Sequence, residues 1–187
     1  MALRFPLAVD ADLSPETREI VAKMPPLNIV RLLANAPASL PPLLELAFSI
    51  LFRSELEPRK REIAVLRVAH ATRSRYEWVQ HVNFAKSVGV TDAEIAKIDA
   101  DGPVTTLDEE GNLLCRVADE ISRDVRLSEE ALAAILSRYG RRQAMELIVC
   151  CSHFNMISRI IESARIELEP EGKRLRPSDM EAAAKGR

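Results

Sequence analysis

The chain has 187 residues, 47% hydrophobic and 29% charged, with a formal net charge of -2. That length suits one domain of ordinary size, or one domain with extra arms, and the near balance of charge offers no basic face for nucleic acid. Aromatic residues make up only 4%, so the core has to be built from Leu, Ile, Val, Ala and Met.

In chain order, residues 1–13 are expected to be extended or loose. Ser14-Pro15 starts a short helix, with Ser as N-cap and Pro at the first helical position. Met24-Pro25-Pro26 stops it, and Asn28 is read as the cap of a second short helix that ends near Pro37. The Leu-rich stretch 39–52 is expected to be a buried helix entered through Pro41-Pro42. From Pro58 the spacing of Ile63, Leu66, Ala69 and His70 predicts an amphipathic helix, with a break over 73–75. The next helix runs over about 74–88 and closes on Gly89. Thr91 and Glu94 form a capping box for a short helix to about Asp99. After the Asp101-Gly102-Pro103 loop, helices are expected over about 107–123, from Ser128 to near Tyr139-Gly140, and over about 141–164. The last is apolar on most faces around 147–154, as a helix buried in a core or an interface would be. The stretch from Glu169 onward is polar and expected to be poorly ordered. No strand-like alternation and no internal repeat is visible, so the fold class is all-α. The organisation reads as an N-terminal helical arm over 1–56, a helical core over 57–168 and a polar tail over 169–187.

Three cysteines, Cys115, Cys150 and Cys151, form no C-x-x-C and leave an odd count, which fits a reducing cytoplasm better than a disulfide framework. The opening MALRFPLAVDADL lacks a long apolar segment, so no secretory signal is expected. The apolar run 41–52 is too short to span a bilayer and carries Glu45, so neither a membrane nor a nucleic acid is expected as a partner.

The residue types that chemistry needs concentrate in 57–89. Glu77 and His81 are four apart, on one face of a helix, with Ser74 one turn earlier. Glu62 lies on the preceding amphipathic segment, within reach through a helical hairpin. Each has a plainer reading. Glu77 and His81 could be a solvated i,i+4 pair, although Tyr76, Trp78, Val82, Phe84 and Ala85 around them argue for burial. Glu62 alone reads as a carboxylate in a charged first turn. Tyr76 could donate a proton or anchor the hairpin. Arg67, Arg73 and Arg75 could hold a substrate carboxylate in a bidentate fork or make structural ion pairs. The second histidine of an H-E-x-x-H zinc pattern is missing, so no metal and no cofactor is expected. Cys150-Cys151 reads as inert core, and His70 and His153 as packed side chains.

Two runs, P-R-x-R-E-I-A-x-L-R-V-A from Pro58 and S-x-Y-E-W-x-x-H-x-x-x-A-x-x-x-G-V-T-x-x-E-I from Ser74, resemble the carboxymuconolactone decarboxylase and AhpD-like superfamily. The resemblance covers 58–98 firmly and the flanking helices weakly. It implies an AhpD-like helical fold whose antiparallel helix pair carries the site, assembled as a homotrimer or homohexamer with the site at or near a subunit interface. The thiol-peroxidase branch carries C-x-x-C-x-x-x-H and a glutamate on the preceding helix. Here Glu62 and His81 match those two, whereas the cysteine positions are Ser74 and Glu77, so its disulfide cycling has no thiols to use. The decarboxylase branch places a glutamate four residues before the histidine, as Glu77 and His81 stand. The resemblance thus implies a cofactor-independent lyase on a small carboxylated lactone or related product of aromatic breakdown. His81 would be the proton donor, Glu77 its orienting partner, Glu62 a second acid/base, and Tyr76 or an arginine the support for the developing anion. The alternatives are an AhpD-like peroxidase and a non-enzymatic oligomer that binds a small acid.

Overall fold

A computed structural model of the chain describes residues 3–170 and 176–185. The described residues form α1 (Pro15–Ala22), α2 (Asn28–Leu33), α3 (Leu40–Phe48), α4 (Pro58–Ala71), α5 (Arg75–Ser87), α6 (Asp92–Ile98), α7 (Glu109–Arg123), α8 (Glu129–Ala164) and α9 (Pro177–Lys185). A 3-10 turn at Asp10–Asp12 precedes α1, and a π-helical turn at Ser49–Arg53 continues α3. There is no strand among the described residues, and the all-α fold class holds.

α4 is the hub. Every residue from 61 to 69 is buried, so the helix is enclosed on all sides rather than along one stripe. It packs against α5, α7 and α8, and its Ile63, Leu66 and Val68 meet Leu114 and Val117 of α7 and Leu147, Cys151 and Phe154 of α8 in one apolar cluster. Enclosure extends to three charged side chains: Arg61, Glu62 and Arg67. A second cluster joins the N-terminal arm to the far end of the chain. Val30, Leu33, Leu40, Leu44 and Phe48 pack there with Phe84 of α5 and Met180 of α9.

Local punctuation follows the sequence where a side chain can do the work within a few residues. Ser14 accepts from Thr17 N, Thr91 and Glu94 form the reciprocal capping box, and Ser128 accepts from Ala131 N. Gly89, at φ 89, ends α5 in the left-handed region. Elsewhere the structure departs from expectation. Asn28 is the first residue of α2, not its cap, and its N–H donates at 2.6 Å to the carboxylate of Glu169. The helix expected over 39–52 widens into the π turn at its end. By contrast, the two helices expected on either side of Gly140 are both present, meeting at a break at Gly140 (φ 68, ψ 176), and are labelled together as α8. The stretch after 168, expected to be loose, contributes a carboxylate that is 4% exposed and a nine-residue helix; residues 171–175 and 186–187 of it lie outside the described residues. α8 has the length and mean hydropathy of a membrane span, but half of its apolar window is buried inside the fold.

Candidate active site

α4 and α5 form an antiparallel pair closed by a short turn in which Arg73 takes φ 55. The hairpin sets Glu62, near the start of α4, against His81, at the middle of α5. Glu62 is fully buried, and its Oε2 accepts from His81 Nδ1 at 2.8 Å. Its other oxygen accepts from Arg61 Nε at 3.0 Å, while Arg61 Nη1 donates to the Leu51 carbonyl at 2.9 Å. On the far side of the ring, His81 Nε2 lies 3.5 Å from Glu77 Oε2. Three of the residues singled out in the sequence therefore meet. The two carboxylates take opposite nitrogens of one imidazole, so they do not converge on a point where a metal could sit, and the described residues hold no other His, Cys, Asp or Glu group that could bind one.

Burial and charge oppose each other here. For Glu62, burial raises the pKa, but the His81 ring and Arg61 outweigh it and hold the carboxyl below its usual range. Burial would lower His81, yet Glu62 in hydrogen-bond contact and Glu77 beside it carry the imidazole above its ordinary value. Glu77 has no such donor. Burial dominates, with Glu62 adding to it, and its pKa is raised. Glu62 is thus biased towards its ionised form and His81 towards the imidazolium, while Glu77 keeps its proton to higher pH than an ordinary glutamate.

Glu77 and His81 line a cavity of about 100 Å³ whose wall is otherwise mostly apolar, Tyr76, Gln80 and His153 being its other polar members. Leu27, Ile29, Val30, Leu44 and Leu51 come from the arm, Phe84 from α5, Phe154 and Ile157 from α8, and Met180 from α9. No arginine or lysine lines it. Phe154 meets the His81 ring edge-on, centroids 4.8 Å apart, which fixes the ring plane. A larger cleft of about 770 Å³ opens at the start of α5, but it contains none of Glu62, Glu77 and His81.

Tyr76 also lines the cavity, although its hydroxyl points elsewhere in function. It donates to Glu169 Oε1 at 2.6 Å and accepts from Ile29 N at 3.3 Å, which ties α5 to the arm and to the chain beyond α8. Burial and the Glu169 carboxylate push the phenol far above its ordinary pKa. Of the arginines considered as carboxylate forks, Arg67 is wholly buried. It pairs with Asp119 at 2.8 Å and donates to the carbonyls of Ile98 and Ala100, both at 2.8 Å, and of Gly102. It is a structural residue that fastens the 98–102 turn to α4. Arg73 and Arg75 are exposed and face the larger cleft.

His153, expected from the sequence to be a packed side chain, lies at the cavity wall. Its Nδ1 is buried without a hydrogen-bond partner, and burial together with the nearby His81 lowers its pKa to about 4, so the ring is neutral. A lone imidazole in the otherwise apolar stretch 147–154 was the available signal. His70 instead pairs with Asp99 at 3.1 Å, away from the site. All three cysteines are free and buried. Burial pushes the Cys115 and Cys151 thiols up to about 12, and burial, Cys151 and Glu62 raise Cys150 well above its ordinary value.

Residues 37–100 match the carboxymuconolactone decarboxylase family. Among solved structures, the chain is similar to the alkylhydroperoxidase AhpD core of an uncharacterised peroxidase-related protein from Ralstonia eutropha JMP134, with TM-score 0.76, 14% identity and coverage of 90% of this chain and 93% of that one. It is similar also to an uncharacterised peroxidase-related protein from Silicibacter sp. TM1040, with TM-score 0.74, 17% identity and coverage of 91% and 92%. A comparison with curated proteins gives no match. The family match spans the end of the arm, the hub helix and the helix that carries His81, and the structural matches extend over nine-tenths of the chain. Residues 37–100 are thus similar to the carboxymuconolactone decarboxylase family, and the fold of the described residues is AhpD-like.

Proposed function

We propose that the chain is a cofactor-independent acid/base catalyst that moves a proton on a small, largely apolar carbonyl compound in the cavity between the arm and α5. One observation carries this reading: Glu62, behind the wall, holds Nδ1 of His81 at 2.8 Å, while His81 and Glu77 face an apolar cavity. Glu62 fixes the ring and keeps it protonated, so His81 has a proton to give, and Glu77 stands ready as a second donor or acceptor. His153, neutral and with an unpartnered nitrogen, can hydrogen-bond the substrate's one polar function without adding charge.

Decarboxylation of a carboxylated lactone is the form of this chemistry to which the family points. The C–C bond to the carboxylate breaks, the electron pair moves into the lactone carbonyl, and His81 returns a proton to carbon while CO2 leaves. With no arginine or lysine in the lining, a substrate carboxylate would depend on the His81 imidazolium alone for its charge. An uncharged unsaturated lactone or enone suits the cavity better. The deciding experiment follows CO2 release from 4-carboxymuconolactone and deuterium uptake beside the carbonyl of an uncharged unsaturated lactone, each with His81→Ala as control. We expect exchange in the wild type and a loss of about 10²-fold or more in the variant. Turnover unchanged by His81→Ala removes His81 from the mechanism.

A thiol peroxidase has less support. Ser74 and Glu77 occupy the cysteine positions, and no thiol is poised to ionise, although both structural neighbours carry a peroxidase-related description. The non-enzymatic alternative loses ground to a buried charge cluster that a mere binding pocket would not need. Assembly as a homotrimer or homohexamer is also proposed. It is supported by Met145, Val149 and Met156, which stand exposed along one face of α8, and light scattering tests it. Free cysteines fit a cytoplasmic location.

A further inference from the structure

The cleft at the start of α5 has a donor set of its own. Ser74 stands at the N-cap position, yet no side chain caps α5, so the first N–H groups of this 13-residue helix are left for a ligand or solvent. Ser74 is 1% exposed, lines the cleft, and its Oγ has no hydrogen-bond partner. A serine that neither caps its helix nor bonds to anything else, buried at the wall of a cavity, is a donor in waiting. Arg73 and Arg75 flank it and line the same cleft, and neither has a carboxylate partner among the described residues. Arg123 enters from α7; its partner Asp119, at 3.4 Å, already has both oxygens engaged by Arg67 at 2.9 Å. The acidic residues of the cleft, Asp99 and Asp101, stand by His70, at 3.1 and 3.9 Å. Trp78, the single tryptophan of the chain, lies one turn along α5 and lines the cleft as well. Arg73 takes φ 55, a conformation that glycine adopts freely and arginine does not, so backbone preference alone does not account for an arginine there.

We propose that this cleft binds a small organic phosphate, with the phosphoryl group on Ser74 and the α5 N-terminus between Arg73 and Arg75, and the planar part of the ligand against Trp78. The number of donors selects phosphate over carboxylate. Free helix N–H groups, a hydroxyl and two guanidiniums exceed what two carboxylate oxygens can accept, and they suit three phosphoryl oxygens. The volume of about 770 Å³ leaves room for an organic group that a bare ion would not fill. The site is separate from the His81 cavity and stands whether or not proton transfer occurs there.

Calorimetric titration of the full chain with phenyl phosphate tests this, with Trp78 fluorescence to locate binding and inorganic phosphate and benzoate as comparators. The expected result is saturable binding with Kd on the order of 1 mM or tighter. It should weaken as salt is raised, be about tenfold tighter than benzoate, and be accompanied by a change in Trp78 emission. Arg73→Gly should weaken it about tenfold while the melting temperature holds or rises, because glycine suits φ 55. Arg53→Ala, which removes an arginine outside the cleft, should leave it unchanged. The proposal is overturned by no saturable binding, by benzoate or inorganic phosphate binding as tightly as phenyl phosphate, or by equal losses in Arg73→Gly and Arg53→Ala.

Discussion

At the scale of single residues, His81 sets the charge balance of the cavity. Its pKa is raised in the fold, so the stability it contributes is fully present below its unfolded value near 6.5 and is lost as pH rises through the folded value. Glu62 works in the opposite sense. Its pKa is lowered, so its contribution is present above 4.5 and is lost as pH falls through the folded value. Between those limits the pair is complete, and Glu77, whose pKa is raised, gives up stability as pH rises beyond 4.5. Urea unfolding of the wild type should therefore show stability falling on the alkaline side, and His81→Gln should flatten that limb. Parallel profiles for the two proteins would mean that the ion pair does not form. The sequence made part of this arrangement readable. The i,i+4 spacing put Glu77 and His81 on one face, and resemblance brought in Glu62, which periodicity alone placed in a solvated first turn. Glu169 was out of reach, because it joins its partners from a distant part of the chain, and the one signal for His153 was a lone imidazole in a mostly apolar stretch.

Secondary-structure elements were most readable at their ends, where a cap, a glycine or a proline acts within four residues. Ser14, Thr91, Ser128 and Gly89 behaved as their local chemistry requires. The enclosure of α4 was hidden, since Arg61, Glu62 and Arg67 interrupt its apolar pattern and are buried only because each finds its partners in the fold. Two backbone positions yield predictions at this scale. Gly140 sits at φ 68 and ψ 176, a region essentially reserved for glycine, with open space around its missing side chain. Gly140→Ala should cost about 1–3 kcal/mol in chemical denaturation, from backbone strain alone with no clash. Val125 is the converse. A β-branched residue at φ 69, it is 86% exposed in the turn between α7 and α8. Val125→Gly should raise stability by about 1 kcal/mol, because the relief of left-handed strain exceeds the added freedom of the unfolded chain. A loss in that variant would show that Val125 is held by contacts outside this chain.

For the whole molecule, the arm and the end of the chain decide whether the cavity exists. The arm supplies Leu27, Ile29, Val30, Leu44 and Leu51 to its wall, and α9 supplies Met180. What fastens these pieces to α5 is one buried carboxylate. Glu169 accepts from Tyr76 Oη and from Asn28 N, each at 2.6 Å, and from Gln80 Nε2, so one side chain ties α2, α5 and the segment after α8 together. Those partners are 93, 141 and 89 residues away in sequence, which is why a polar stretch read as loose became a clasp. Removing the carboxylate strands two buried donors, on Tyr76 and Gln80, and the part-buried Asn28 N–H, at about 1–3 kcal/mol for each buried one, partly relieved by water. Glu169→Ala should therefore lose roughly 3 kcal/mol or more of unfolding free energy. Amide exchange should accelerate first over 27–33, where the arm meets α5, and α4 should stay protected because its packing against α7 and α8 does not involve Glu169. If the cavity depends on that clasp, catalysis should fall along with arm protection while the Glu62–His81 pair remains formed. Tyr76→Phe, which removes one donor and leaves the carboxylate, should show the same pattern at smaller amplitude. Uniform acceleration of exchange across α4 and the arm alike would mean that the arm has no separate closing step and unfolds only with the core.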